Sequence, residues 1–224
     1  MVFNMNKQGK AIGDNQRNSM KMACEILFIF AEVSFCAFAD SPPDVIEGGG
    51  AAKHSLAESV TGEHYLSRDG AQLDVSEGSL IIARDLYPEI DIPKYLYLID
   101  EMVQELETRI HGNDDPHNLI QMINEYLFEE QGFQYEAGTH FLNKVLDDKR
   151  GSCVGLATLY IALTQRLDIP CCAVNIPQHV IVRFSDGNTR INLEMQHGGK
   201  ILPDAWYIEN WGIGADAIQT RAYL

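Results

Sequence analysis

The apolar periodicity of the chain changes at Pro170, and that change restricts the fold more than any other feature. Before it, apolar residues recur at three- and four-residue steps; after it, they fall in short β-rich runs. Ser76 reads as the cap of a first helix that ends at Leu86, ahead of Pro88. Ile92-Pro93 opens a second helix to about His111, with Tyr95, Leu98, Ile99, Met102, Leu106 and Ile110 on one face. Asp115-Pro116 has the cap-then-proline order and predicts a third, to about Glu130, buried along Ile120, Ile123, Tyr126 and Leu127. Gly132 and Gly138 bound a loop, and Phe141 to Asp148 is a short helix. Val154 to Leu167 is a fifth, with Leu156, Leu159, Tyr160 and Leu163 inward and Asp168-Ile169-Pro170 as its stop. Cys171 to Ile176, His179 to Phe184 and Arg190 to Met195 then read as strands, with a hairpin turn at Ser185-Asp186-Gly187-Asn188. A helical N-terminal half packed on a small antiparallel sheet is an α+β fold.

The ends of the chain differ from this body. Residues 1–39 carry Lys7, Lys10, Arg17 and Lys21 against Asp14, Glu25 and Glu32, then an apolar run from Met22 to Phe38 that ends in Ala37-Phe38-Ala39. That order describes a secretory leader cleaved after Ala39, read most naturally from Met20, and it implies export to a periplasmic or external space. Glu25 and Glu32 interrupt the run; the other reading is an amphipathic helix on a cytoplasmic protein. The run is short of the ~20 apolar residues of a permanent membrane span. Residues 40–74, with Ser41-Pro42-Pro43 and Gly48-Gly49-Gly50, read as a linker, and residues 75–224 as one domain. The chain's net charge is −15 and the leader's is +1, so −16 falls on residues 40–224. Such acidity gives no general attraction to nucleic acid.

Five cysteines are too few for a disulfide scaffold, but one of them is well placed. Cys153 follows Arg150-Gly151-Ser152 and begins a helix. There, unpaired backbone N–H groups and the helix dipole favour a thiolate and offer donors to an oxyanion. Without partners it would be a small buried hydrophobe. His179 starts a strand 26 residues later, and a helix-start Cys with a strand His is the papain-like arrangement for acyl transfer. The next strand offers Asn192 and Glu194 on one face, either of which can orient the imidazole.

Phe141-Leu-Asn-Lys-Val-Leu-Asp-Asp-Lys-Arg-Gly-Ser-Cys-Val-Gly-Leu, Pro177-Gln-His-Val-Ile-Val-Arg and Ile191-Asn-Leu-Glu followed by Gly198-Gly199 together resemble the transglutaminase-like superfamily. The nearest branch is the bacterial SirB-type proteins, similar from about residue 77 onward. The resemblance implies a relative of the papain fold with a Cys-His-Asp triad. Cys153 is then the nucleophile and His179 the general base, with Glu194 standing where the family has Asp and Asn192 as the alternative third member. It implies a cysteine protease, amidase or transglutaminase acting on a peptide or protein, without cofactor. Many members of the branch lack the cysteine, so a silent peptide-binding module is the alternative. Members also often continue into tetratricopeptide repeats, whereas this chain stops at Ala222-Tyr223-Leu224, as a short form or fragment would.

The remaining candidates have plainer readings. Adjacent Cys171 and Cys172 are too close for an ordinary disulfide, and one is expected to face the core. Glu194 with His197 is weak as a metal pair, with no His-Glu-x-x-His or paired Cys-x-x-Cys. Trp206, Tyr207 and Trp211 read as core or rim packing, Gly212-x-Gly214 as a turn, and Asn143 as a loop hydrogen bonder or a carbonyl-polarising amide.

Overall fold

The computed structural model describes Tyr65 and residues 73–213. The leader with its cleavage after Ala39, Cys24, Cys36, nearly all of the 40–72 stretch and Ala222-Tyr223-Leu224 lie outside the described residues. Among the described residues no helix is long and apolar enough to cross a membrane.

Helix α1 spans Val75–Leu86, and its cap is Asp74 rather than Ser76. Asp74 Oδ1 accepts the Glu77 N–H at 2.8 Å, while Ser76, one turn-start later, donates its hydroxyl to the same carboxylate. A carboxylate two residues upstream outcompetes the hydroxyl because it accepts both bonds at once. Tyr65, from the stretch read as linker, is buried against α1: its hydroxyl donates to Asp74 O and Glu77 Oε2, and its ring fills the space where a Gly78 side chain would begin. Helix α2 covers Ile92–Ile110, capped by Asp91, and α3 covers Pro116–Asn124, capped by Asp115. The third helix continues to Glu130 as expected, but Glu125–Glu130 widens into a π-helix.

Two residues then form β1, Gln134–Tyr135, which pairs in parallel with β2, Arg150–Gly151. Between them lies α4, Leu142–Asp148. Helix α5, Cys153–Arg166, is the centre of the fold: every residue from Val154 to Thr164 is buried. It packs on α1, α2, α4 and the sheet, which is why its sequence is apolar on all sides rather than along one stripe.

Strands β3 (Cys171–Ile176), β4 (His179–Ser185), β5 (Arg190–Glu194) and β6 (Lys200–Ile201) form an antiparallel sheet in that order. The third β-rich run stops at Glu194; Met195–His197 is a turn of 3₁₀ helix. Side chains alternate between two faces. Ala173, Val180, Val182, Phe184, Ile191 and Leu193 join the main core with α5. Cys172, Val174, Ile176 and Ile181 join a second cluster beneath helix α6, Asp204–Trp211. Neighbouring Cys171 and Cys172 therefore serve opposite faces: Cys171 packs on the main core and Cys172 on the second, and neither forms a disulfide among the described residues.

Candidate active site

The first turn of α5 positions Cys153. Ser152 is its cap, accepting the Gly155 N–H on Oγ at 3.3 Å, and the Ser152 hydroxyl also meets His140 Nδ1 at 2.8 Å. The Ser152 N–H donates to Thr139 O at 2.7 Å, which ties the start of α5 to the loop before α4. Gly155 allows this approach, since a Cβ there would lie 2.7 Å from Thr139 O. Burial pushes the His140 imidazole below its ordinary range, so the ring that holds the Ser152 hydroxyl is neutral at physiological pH.

His179 opens β4, and the sheet brings Glu194 to its side. Nε2 donates to Glu194 Oε2 at 2.8 Å, and neither side chain has exposed surface. The other carboxylate oxygen, Oε1, accepts the Gln196 N–H at 2.9 Å, so the acid is held at both ends. With Nε2 committed to a carboxylate, Nδ1 is the nitrogen left for the Cys153 side chain, which hydrogen-bonds the ring, and for Gln196 Nε2 at 3.3 Å. Burial acts to lower the His179 pKa, but the hydrogen bond from Cys153 and the hydrogen bond and charge of Glu194 outweigh it and push it up to about 9. The imidazole is therefore held as a cation beside the Glu194 carboxylate.

The extra methylene of Glu relative to Asp is accommodated because Glu194 is the last residue of β5 and its carboxylate turns back over the 3₁₀ turn. Asn192, which lies on the same face of β5, does not meet His179. Its Oδ1 accepts from Arg183 Nε at 2.7 Å and its Nδ2 donates to Asp204 Oδ1 at 2.6 Å. Register explains the division: Asn192 sits opposite Arg183, whereas Glu194 lies beyond the last cross-strand pair with β4, toward the end where His179 begins.

Trp211 packs at the rim of the second cluster, as read, and makes one further contact. Its indole stacks on the His179 ring with centroids 4.1 Å apart and planes 8° from parallel. Trp206 and Tyr207 pack in an edge-to-face pair, with Trp206 also edge-on to His197. Trp211 lies 32 residues after His179 on a separate helix, and nothing in the spacing points to the contact. Gln196 was missed for a similar reason, as it follows the acid in a turn without periodicity. Tyr135, about two-fifths exposed on β1, feels the charges of Cys153 and Glu194 and so lines the same space. Asn143 is buried, with Oδ1 unpartnered among the described residues. Gly212 is the left-handed residue that ends α6. Among the described residues no three His, Cys, Asp or Glu side chains are grouped to hold a metal, and Glu194 is already engaged by His179.

The arrangement suits proton transfer between a sulfur and a nitrogen next to unpaired N–H groups of a helix start. Comparison with known proteins bears on the family. Residues 93–212 match the model of the transglutaminase-like superfamily. A UPF0162 protein of Xylella fastidiosa is 28% identical over 140 residues, which is 60% of this chain and 50% of that relative. A UPF0162 protein of Pseudomonas aeruginosa is 29% identical over 112 residues, covering 48% of this chain and 42% of the relative. One from Buchnera aphidicola is 24% identical over 151 residues, covering 64% and 55%. The chain thus spans about half the length of the curated relatives it matches. No solved structure matches it. The family match covers more than half of the chain, and the protein belongs to the transglutaminase-like superfamily.

Proposed function

We propose that the protein is a thiol enzyme that transfers an acyl group from a peptide or side-chain amide. The observation that carries this reading is the His179 ring, committed to Glu194 through one nitrogen and bonded to Cys153, with Trp211 over its face. The proton given up by the Cys153 thiol is the one that the His179 imidazolium carries, and the sulfur of this pair attacks the amide carbonyl. The oxyanion faces the N–H groups of the first turn of α5, of which that of Gly155 is already taken by Ser152. His179 returns the proton to the departing amine. Water or a second amine then releases the acyl group, giving hydrolysis or transamidation; hydrolysis is the outcome proposed here. Glu194 fixes the ring and stabilises its charged form without taking the proton.

The test is alkylation by iodoacetamide at about pH 6, with Cys171 as internal reference. Cys153 is expected to react fast in the unaltered protein and slowly in His179→Ala. A Cys153 as sluggish as Cys171 would leave the fold as a binding module without a working nucleophile.

A further inference from the structure

Arg183 is an unusual occupant of its position. It lies in the middle of β4, is 6% exposed, and shares its face with the second apolar cluster. A buried guanidinium is costly unless its charge is matched. The match comes from helix α6. Asp204, in the first turn, places Oδ1 3.6 Å from an Arg183 terminal nitrogen and accepts Asn192 Nδ2 on the same oxygen. Its Oδ2 accepts from Arg190 at 2.6 Å. Asn192 in turn accepts from Arg183 Nε, so four side chains from β4, β5 and α6 are linked in one set.

The other end of α6 is the site. The helix is eight residues long, which puts Trp211 about 10 Å from Asp204 along a rigid rod. Between them Tyr207 is buried in the second cluster. The polar set thus anchors one end of the element whose other end covers His179.

We infer that Asp204 is a positioning residue, which by gripping Arg183, Arg190 and Asn192 fixes α6 so that Trp211 seals the His179–Glu194 pair from water. This inference rests on the proposed site, although its geometry involves no nucleophile. The charged and titratable groups bearing on His179 are Cys153 from α5 and Glu194 from β5. Tyr135 from β1 and Tyr207 from α6 feel the Glu194 charge, and Tyr207 also feels Arg183 and Asp204. Loosening α6 admits water to this group. The hydrogen bond and charge of Glu194 then hold the imidazolium less firmly.

A protonated imidazole stacked on an indole quenches its fluorescence, and the neutral ring quenches far less. The chain has two tryptophans, so Trp206→Phe leaves Trp211 as the single indole. In that background emission is expected to rise as His179 loses its proton near pH 9. Asp204→Asn keeps the shape and removes the charge; the midpoint should fall by one pH unit or more toward the ordinary 6.5, and Cys153 alkylation at about pH 6 should slow several-fold. Asp204→Glu should restore part of the shift. Arg190→Ala removes the exposed arm alone and should move the midpoint the same way by less, which keeps the test available if Asp204→Asn does not fold. An unmoved midpoint in Asp204→Asn, even with a lower melting temperature, overturns the inference, as does emission without pH dependence in the Trp206→Phe protein. A midpoint that moves while Cys153 alkylates no faster than Cys171 supports the clamp and defeats the proposed enzyme instead.

Discussion

The two faces of the four-stranded sheet come from the same strands and do opposite things. Toward α5, β4 and β5 present Val180, Val182, Phe184, Ile191 and Leu193, all buried in one apolar core. Toward α6 they present Ile181 together with His179, Arg183, Asn192 and Glu194, equally buried, with His179 paired to Glu194 and with Arg183 and Asn192 joined to Asp204. Alternate residues of a five- to seven-residue strand thus divide into a set that fills the main apolar core and a set held mostly by polar partners. Burial does not separate them; the partner does. Apolar groups stabilise in proportion to the area removed from water, whereas buried polar groups are tolerated only when each is matched.

The division can be broken from either side. The largest expected effect is on the polar face. His179→Ala removes the proposed base and should slow Cys153 alkylation by roughly 10²-fold or more, and because it leaves the buried Glu194 without this partner the melting temperature should fall as well. Next comes Leu193→Ala on the apolar face, which leaves a cavity in the core and should cost about 3 kcal/mol in urea unfolding while leaving the alkylation rate of the folded protein unchanged. If that rate falls along with stability, the two faces are not independent.

Glu194→Gln sharpens the contrast because it removes a charge and keeps the volume. The folded His179 value of about 9 lies above the ordinary 6.5, so the protonated ring stabilises the fold fully below pH 6.5, and that stabilisation is lost as the pH rises to 9. In Glu194→Gln the fall across this window should flatten, with stability at about pH 6 lower by on the order of 2 kcal/mol. Unfolding curves at three or four pH values read this directly; parallel curves for the two proteins would remove Glu194 from the account. The smallest effect is that of Trp211→Ala. Loss of the stacked ring should cost about 1 kcal/mol of stability and slow alkylation a few-fold.

How much of this was legible in the sequence follows the same division. The helices of the N-terminal half and the three longer strands announce themselves through apolar spacing, because each must cover a single core. Cys153, His179 and Glu194 are legible because a helix start, a strand start and a strand face are local features. What failed was whatever depends on two distant segments meeting. The pairing of β1 with β2 involves two residues on each side and has no periodicity. Helix α6 is short, and its Trp211 finds His179 only after the sheet has folded. The π-helix at Glu125–Glu130 follows from packing rather than composition: Asn124 Nδ2 donates to Gly199 O and Phe128 lies against Gly198 and Gly199. Choosing Glu194 over Asn192 required the register, since both point the same way and only their distance along β4 separates them.

Gly155 leaves a different kind of trace. The start of α5 is located by a backbone seated where a side chain would otherwise be, with Thr139 O and Val145 both 2.7 Å from the missing atom. None of the groups that bond Cys153 or His179 takes part in that seating. The scaffold that places the sulfur is therefore separable from the side chains proposed to use it, and the proposed reactivity could be lost one side chain at a time without unseating the start of α5. A silent descendant and an active ancestor of such a domain would be superimposable.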